Sequence, residues 1–84
     1  MTVTIIADRG SHLLVSQGER CAIIERRADR LYSCHDGKRD GIPLARIDDI
    51  GTILRDEDWI DKASARSAFD EIVERGTHLS ETML

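Results

Sequence analysis

The chain has 84 residues, with twelve Lys/Arg against sixteen Asp/Glu and a formal net charge of −4. At that length surface scaling gives about 5,000 Å² folded against about 13,800 Å² unfolded, which allows one modest core and no cleft of enzyme depth within a single subunit. Hydrophobic residues at 40% and charged residues at 33% place it among globular chains rather than disordered or membrane-spanning ones.

Tyr32, Trp59 and Phe69 are the whole aromatic complement, so the core is expected to be aliphatic and a base-stacking platform is not expected. No window reaches the ~18 consecutive apolar residues of a membrane helix. The first nine residues have no basic n-region, and their apolar run stops at Ala7, unlike a secretory signal. The expectation is a cytoplasmic protein of bacterial or phage type, without membrane contact. Cys21 and Cys34 do not make the disulfide framework of a small secreted domain and are read as free thiols.

In chain order, residues 2–7 are rich in β-branched side chains and read as a strand, ended by the turn residues Asp8, Arg9, Gly10 and Ser11. Residues 12–16 read as a second strand, 20–27 as a third and 31–35 as a fourth, with Gln17-Gly18 and Ala28-Asp29 as tight turns. Asp36-Gly37 is the strongest hairpin signal, because both residues tolerate the positive φ of primed turns. A short fifth strand at residues 41–44 would be confined to an edge by Pro43. Short connections make these strands an antiparallel meander. Two-residue loops would put Ile5, Leu14, Cys21, Ile23 and Cys34 on one face, and Ile6, Leu13, Val15, Ala22, Ile24 and Leu31 on the other. A sheet apolar on both faces needs a helix on one and a second cover on the other. A homodimer through the remaining face is therefore expected.

Ile47, Ile50, Ile53 and Leu54 hint at a short helical segment, weakened by Gly51-Thr52. Ala65, Ala68, Phe69, Ile72 and Val73 then follow the i, i+3, i+4, i+7, i+8 pattern of one helical stripe. The expected helix spans about 58–75, with Asp58 or Asp61 as N-cap and Gly76 at the C′ position. The resulting fold class is α+β: an antiparallel meander of four to five short strands, followed by one C-terminal amphipathic helix packed on the sheet. Residues 1–76 form the single domain and 77–84 a loose tail.

Charge is unevenly spread. Residues 1–46 hold eight Lys/Arg against six acids, and residues 47–84 hold four against ten. Asp48, Asp49, Asp56, Glu57, Asp58 and Asp61 surround Trp59, a residue type enriched at interface hot spots. These seven are the expected partner-binding residues, since an acidic surface sets partner choice and association rate. The alternative is a nucleic-acid interface of Arg26, Arg27, Arg30, Lys38 and Arg39, disfavoured by the negative whole-chain field.

His12, Cys21, Cys34 and His35 are the soft-ligand set, and the pairing above brings His12, Cys21 and Cys34 toward one face. Without a Cys-x-x-Cys or His-x₃-His spacing, no metal or other cofactor is expected. Cys34 and His35 are neighbours in a strand and point to opposite faces, which rules against a thiolate–imidazole pair. No catalytic residues are expected. The chain reads as a small non-enzymatic protein-binding module, a cytosolic regulator or inhibitor acting through its acidic surface. In size and acidity it is similar to small phage or mobile-element inhibitors, anti-CRISPR proteins among them.

Overall fold

The computed structural model describes the backbone of residues 3–35 and 41–82, and the side chains of residues 3–35 and 41–75. Five strands follow one another as a meander: β1 (Thr4–Asp8), β2 (His12–Gln17), β3 (Arg20–Arg27), β4 (Arg30–Ser33) and β5 (Ile42–Pro43). A 3₁₀ segment, Leu44–Ile53, and a 3₁₀ turn, Asp56–Asp58, lead to β6 (Ile60–Asp61) and the helix α1 (Lys62–Thr82). The fold is the expected α+β arrangement, with α1 packed on an antiparallel sheet. Among the described residues no helix is long and apolar enough to cross a membrane.

Tight turns set the register. Gln17 pairs with Arg20 and Arg27 with Arg30, which leaves Gly18-Glu19 and Ala28-Asp29 as two-residue loops. Gly18 has φ 63° and Ala28 φ 53°, the positive values that a primed hairpin turn requires at its first central position. The first loop lies one residue later than the sequence suggests. That slides β2 by two residues on β3, and a slide of two returns every side chain to its own face.

The expected faces are therefore observed across β2, β3 and β4, and β1 departs from them. The link Asp8–His12 has three residues between strands, and the β1–β2 register shifts between Ile5 and Ala7. This bulge places Ile5 opposite Val15 and Ala7 opposite Leu14, so Ile5 does not join Leu14's face as the loop-length argument required.

Each face has its own cover. Leu14 and Cys21 are buried against Ala65 and Phe69 of α1, with Ala7, Ile23 and Val73 at the margin. On the other side Leu13, Val15, Ala22, Ile24 and Leu31 are buried together with Ile50, and Leu44, Ile47, Ile53, Leu54 and Trp59 pack around them. The face expected to await a second copy is thus covered by the chain's own 3₁₀ layer. β5 starts this layer: it pairs with β4 through Leu31 and Ile42, and the Leu44 amide donates to the Asp29 carbonyl at 2.6 Å. Gly41 permits the approach, since a Cβ there would run into the Leu31 carbonyl and the Tyr32 ring.

β3 shares one edge between two strands. β4 pairs with its C-terminal half, and β6 pairs Ile60 with Cys21 and Asp61 with Arg20. α1 begins directly after, so its start differs from the expected residue 58. Asp61 is its N-cap, accepting the Ser64 amide at Oδ2 (2.9 Å). The helix also runs past Gly76, where the sequence suggested a stop, and its backbone continues to Thr82 through residues read as tail. An interior glycine costs a helix about 1 kcal/mol without breaking it. The Asp36-Gly37 turn signal lies outside the described residues.

Candidate functional site

The acidic segment does not form one continuous surface. Asp58 is 6% exposed and accepts the Ser33 hydroxyl at 2.8 Å and the Arg55 amide at 2.7 Å, so this predicted contact residue is an internal strut. Asp61 caps α1, and the Ser64 backbone N–H holds its carboxyl below the usual aspartate range. Asp49 accepts the Arg46 guanidinium at 2.8 and 3.0 Å. Trp59 is half-buried and packs beneath the sheet. Asp48, Asp56 and Glu57 remain exposed. The structure separates them: Asp48 and Asp49 line a groove under β1, while Glu57 and Asp58 line a small notch with Ile23, Cys34, His35 and Ile60.

The groove holds about 760 Å³ between β1 and the 3₁₀ layer, with Val3, Ile5, Ile47 and Ile50 as its apolar side chains. β1 is the terminal strand of the sheet order, and Ile5 and Ile6 on it are 41% and 37% exposed. Sequence reasoning missed Ile5 as a surface residue, because the bulge that turns it toward the groove has no glycine to announce it.

The arginines at the β3–β4 turn each find an acceptor or an aromatic neighbour locally. Arg26 Nε donates to the Ala28 carbonyl (3.2 Å), and Arg30 to the Gly41 carbonyl (2.9 Å). Arg27 Nε pairs with Glu25 at 2.9 Å, and its guanidinium lies 4.1 Å from the Tyr32 ring centre, within cation–π range. Lys38 and Arg39 lie outside the described residues.

The soft-ligand residues divide as well. Cys21 is fully buried under α1, and His35 is exposed at the notch. His12 and Cys34 do come together, and the third member is Glu25, which sequence reasoning passed over. One ligand atom from each of the three lies within 4.8 Å of the others. The pairing was hidden in the register: His12 stands opposite Glu25 only when the β2–β3 loop is Gly18-Glu19. Cys34 continues β4 by donating its amide to the Ile23 carbonyl at 3.0 Å. Burial, then the Glu25 charge, raise the Cys34 pKa above the ordinary thiol value, so the thiol is not an activated nucleophile. Both cysteines are free.

No protein family matches this chain, and no curated protein or solved structure matches it either.

Proposed function

We propose that the chain is a non-enzymatic protein-binding module that receives an extended, apolar-and-basic segment of a partner along β1. The observation that carries this reading is the exposed Ile5 on a terminal strand, beside a groove walled by Val3 and Ile47 and rimmed by Asp48 and Asp49. A terminal strand offers unpaired backbone N–H and C=O groups to a further strand, alternate side chains of that strand enter pockets, and acids at the rim select Lys or Arg. The acidic contact surface is thereby narrowed from the 48–61 segment to the groove rim, and there to Asp48 above all, because Asp58 and Asp61 serve the fold, Asp49 already accepts Arg46, and Asp56 and Glu57 do not line the groove. In the same proposal the protein acts as a regulator or inhibitor in a reducing, cytoplasmic setting, with which two free thiols agree. The arginine turn offers less to nucleic acid, since Arg26, Arg27 and Arg30 already meet local acceptors.

The test is selection of peptides from a random display library with the full-length chain, followed by titration of selected peptides. Expected are sequences alternating apolar residues with Lys or Arg, whose affinity falls at least tenfold with Ile5→Asp and with Asp48→Lys and is unchanged with Glu57→Lys. Selection of no such class, or binding indifferent to Ile5→Asp, overturns the reading. A homodimer on a sizing column that Ile5→Asp dissociates would assign the edge to a second copy instead.

A further inference from the structure

We propose that His12, Glu25 and Cys34 form a site for a zinc-like divalent transition-metal ion, with three protein ligands and one open position. The ligand set is imidazole, carboxylate and thiolate, all established zinc donors. In tetrahedral coordination, bond lengths of about 2.0–2.3 Å place neighbouring ligand atoms about 3.3–3.8 Å apart. The three atoms here lie within 4.8 Å of one another before any ion draws them in, so closure asks for about 1 Å of side-chain adjustment.

The scaffold is rigid where it matters. The ligands come from β2, β3 and the extension of β4, three strands joined by continuous antiparallel pairing: His12 opposite Glu25, and Cys34 bonded to Ile23. All three are half-buried, which limits competition from water while leaving a path for the ion. Two outer contacts orient the set. The Ser11 hydroxyl lies 3.0 Å from His12 Nδ1, which directs Nε2 toward the ion when Nδ1 carries the proton. Arg27 holds Glu25 Oε1 at 2.9 Å and leaves the other oxygen to coordinate. Such partners fix ligand orientation and commonly change metal affinity 10- to 100-fold when removed. On binding, the Cys34 thiol gives its proton to solvent as the metal–sulfur bond forms, and water completes the coordination. The site lies on the α1-covered face, apart from the β1 groove, and does not depend on the proposed function.

The experiment is titration of chelator-treated full-length protein with Zn²⁺ alone, and separately with Co²⁺ alone while the absorption spectrum is recorded. Expected are one ion per chain and a thiolate-to-cobalt charge-transfer band. Cys34→Ser, His12→Gln and Glu25→Gln should each weaken zinc binding at least tenfold, and Ser11→Ala to a smaller extent. Cys21→Ser and His35→Ala should leave it unchanged within twofold. Absence of stoichiometric uptake, absence of the thiolate band in the wild-type protein, or full zinc affinity in Cys34→Ser would each overturn the site. The wild-type spectrum decides the question even where a variant fails to fold.

Discussion

The Ser33 hydroxyl donates to Asp58 Oδ1 at 2.8 Å across 25 positions of sequence, and both residues are buried. Asp58 Oδ2 meanwhile accepts the Arg55 amide. One carboxylate thus ties the end of β4 to the loop that turns the chain from the 3₁₀ layer toward β6. Asp58→Ala should cost about 2–4 kcal/mol, because it leaves two donors without this acceptor. Ser33→Ala should cost about 1.5–3 kcal/mol, the range for a hydrogen bond to a charged group. Urea unfolding of both variants checks this. A wild-type midpoint for Asp58→Ala would show that the carboxylate is no strut.

Ala28 holds φ 53° at a hairpin turn, a region that costs an L-residue about 1–2 kcal/mol. Ala28→Gly removes that strain and adds about 0.4–1 kcal/mol of chain entropy to the unfolded state. The net expectation is stabilisation of about 0.5–1 kcal/mol, with Ala28→Val moving the urea midpoint the other way.

Asp61 is more acidic in the folded chain than in the unfolded one, through the Ser64 amide. A depressed carboxyl contributes stability that is fully present above its unfolded pKa of about 3.9 and is lost as pH falls through the lower folded value. The stability difference between wild type and Asp61→Ala should therefore be constant from neutral pH down to about pH 5. It should then shrink as the medium is made more acidic, as followed by thermal unfolding. A difference that grows on acidification would contradict the N-cap assignment.

The two faces of the sheet should fail independently. Phe69→Ala empties the centre of the α1 side, and about 3–5 kcal/mol is expected. Ile50→Ala opens the 3₁₀ side and should cost about 2–5 kcal/mol, although its segment carries a weak helical signal in the sequence. Were Ile50→Ala within about 0.5 kcal/mol of wild type, a surface-like effect, the second layer would not be core.

Much of this architecture was legible because parity survives error. A loop misplaced by one residue slides β2 on β3 by two, so Leu14 and Cys21 stay on one face and Leu13 and Ala22 on the other. The stripe from Ala65 to Val73 was equally plain. The β1 bulge was not, since nothing at Ile6 marks it, and with it went the groove. Asp58 was misread as a contact residue because an acidic run ordinarily lies on the surface, and only the position of Ser33 in space makes it internal. Glu25 was missed for a related reason: a ligand set spread over three strands becomes visible only once the register is known.

Cys21 has no exposed surface and lies beneath Ala65 and Phe69, the residues by which α1 holds the sheet. Its thiol therefore reports helix detachment from within. In a Cys34→Ser background a thiol reagent reaches Cys21 only during moments when α1 lifts or the whole chain unfolds. The labelling rate against denaturant then separates these two openings, because the smaller event exposes less surface. The protein so carries its own gauge of how often its second half lets go of its first.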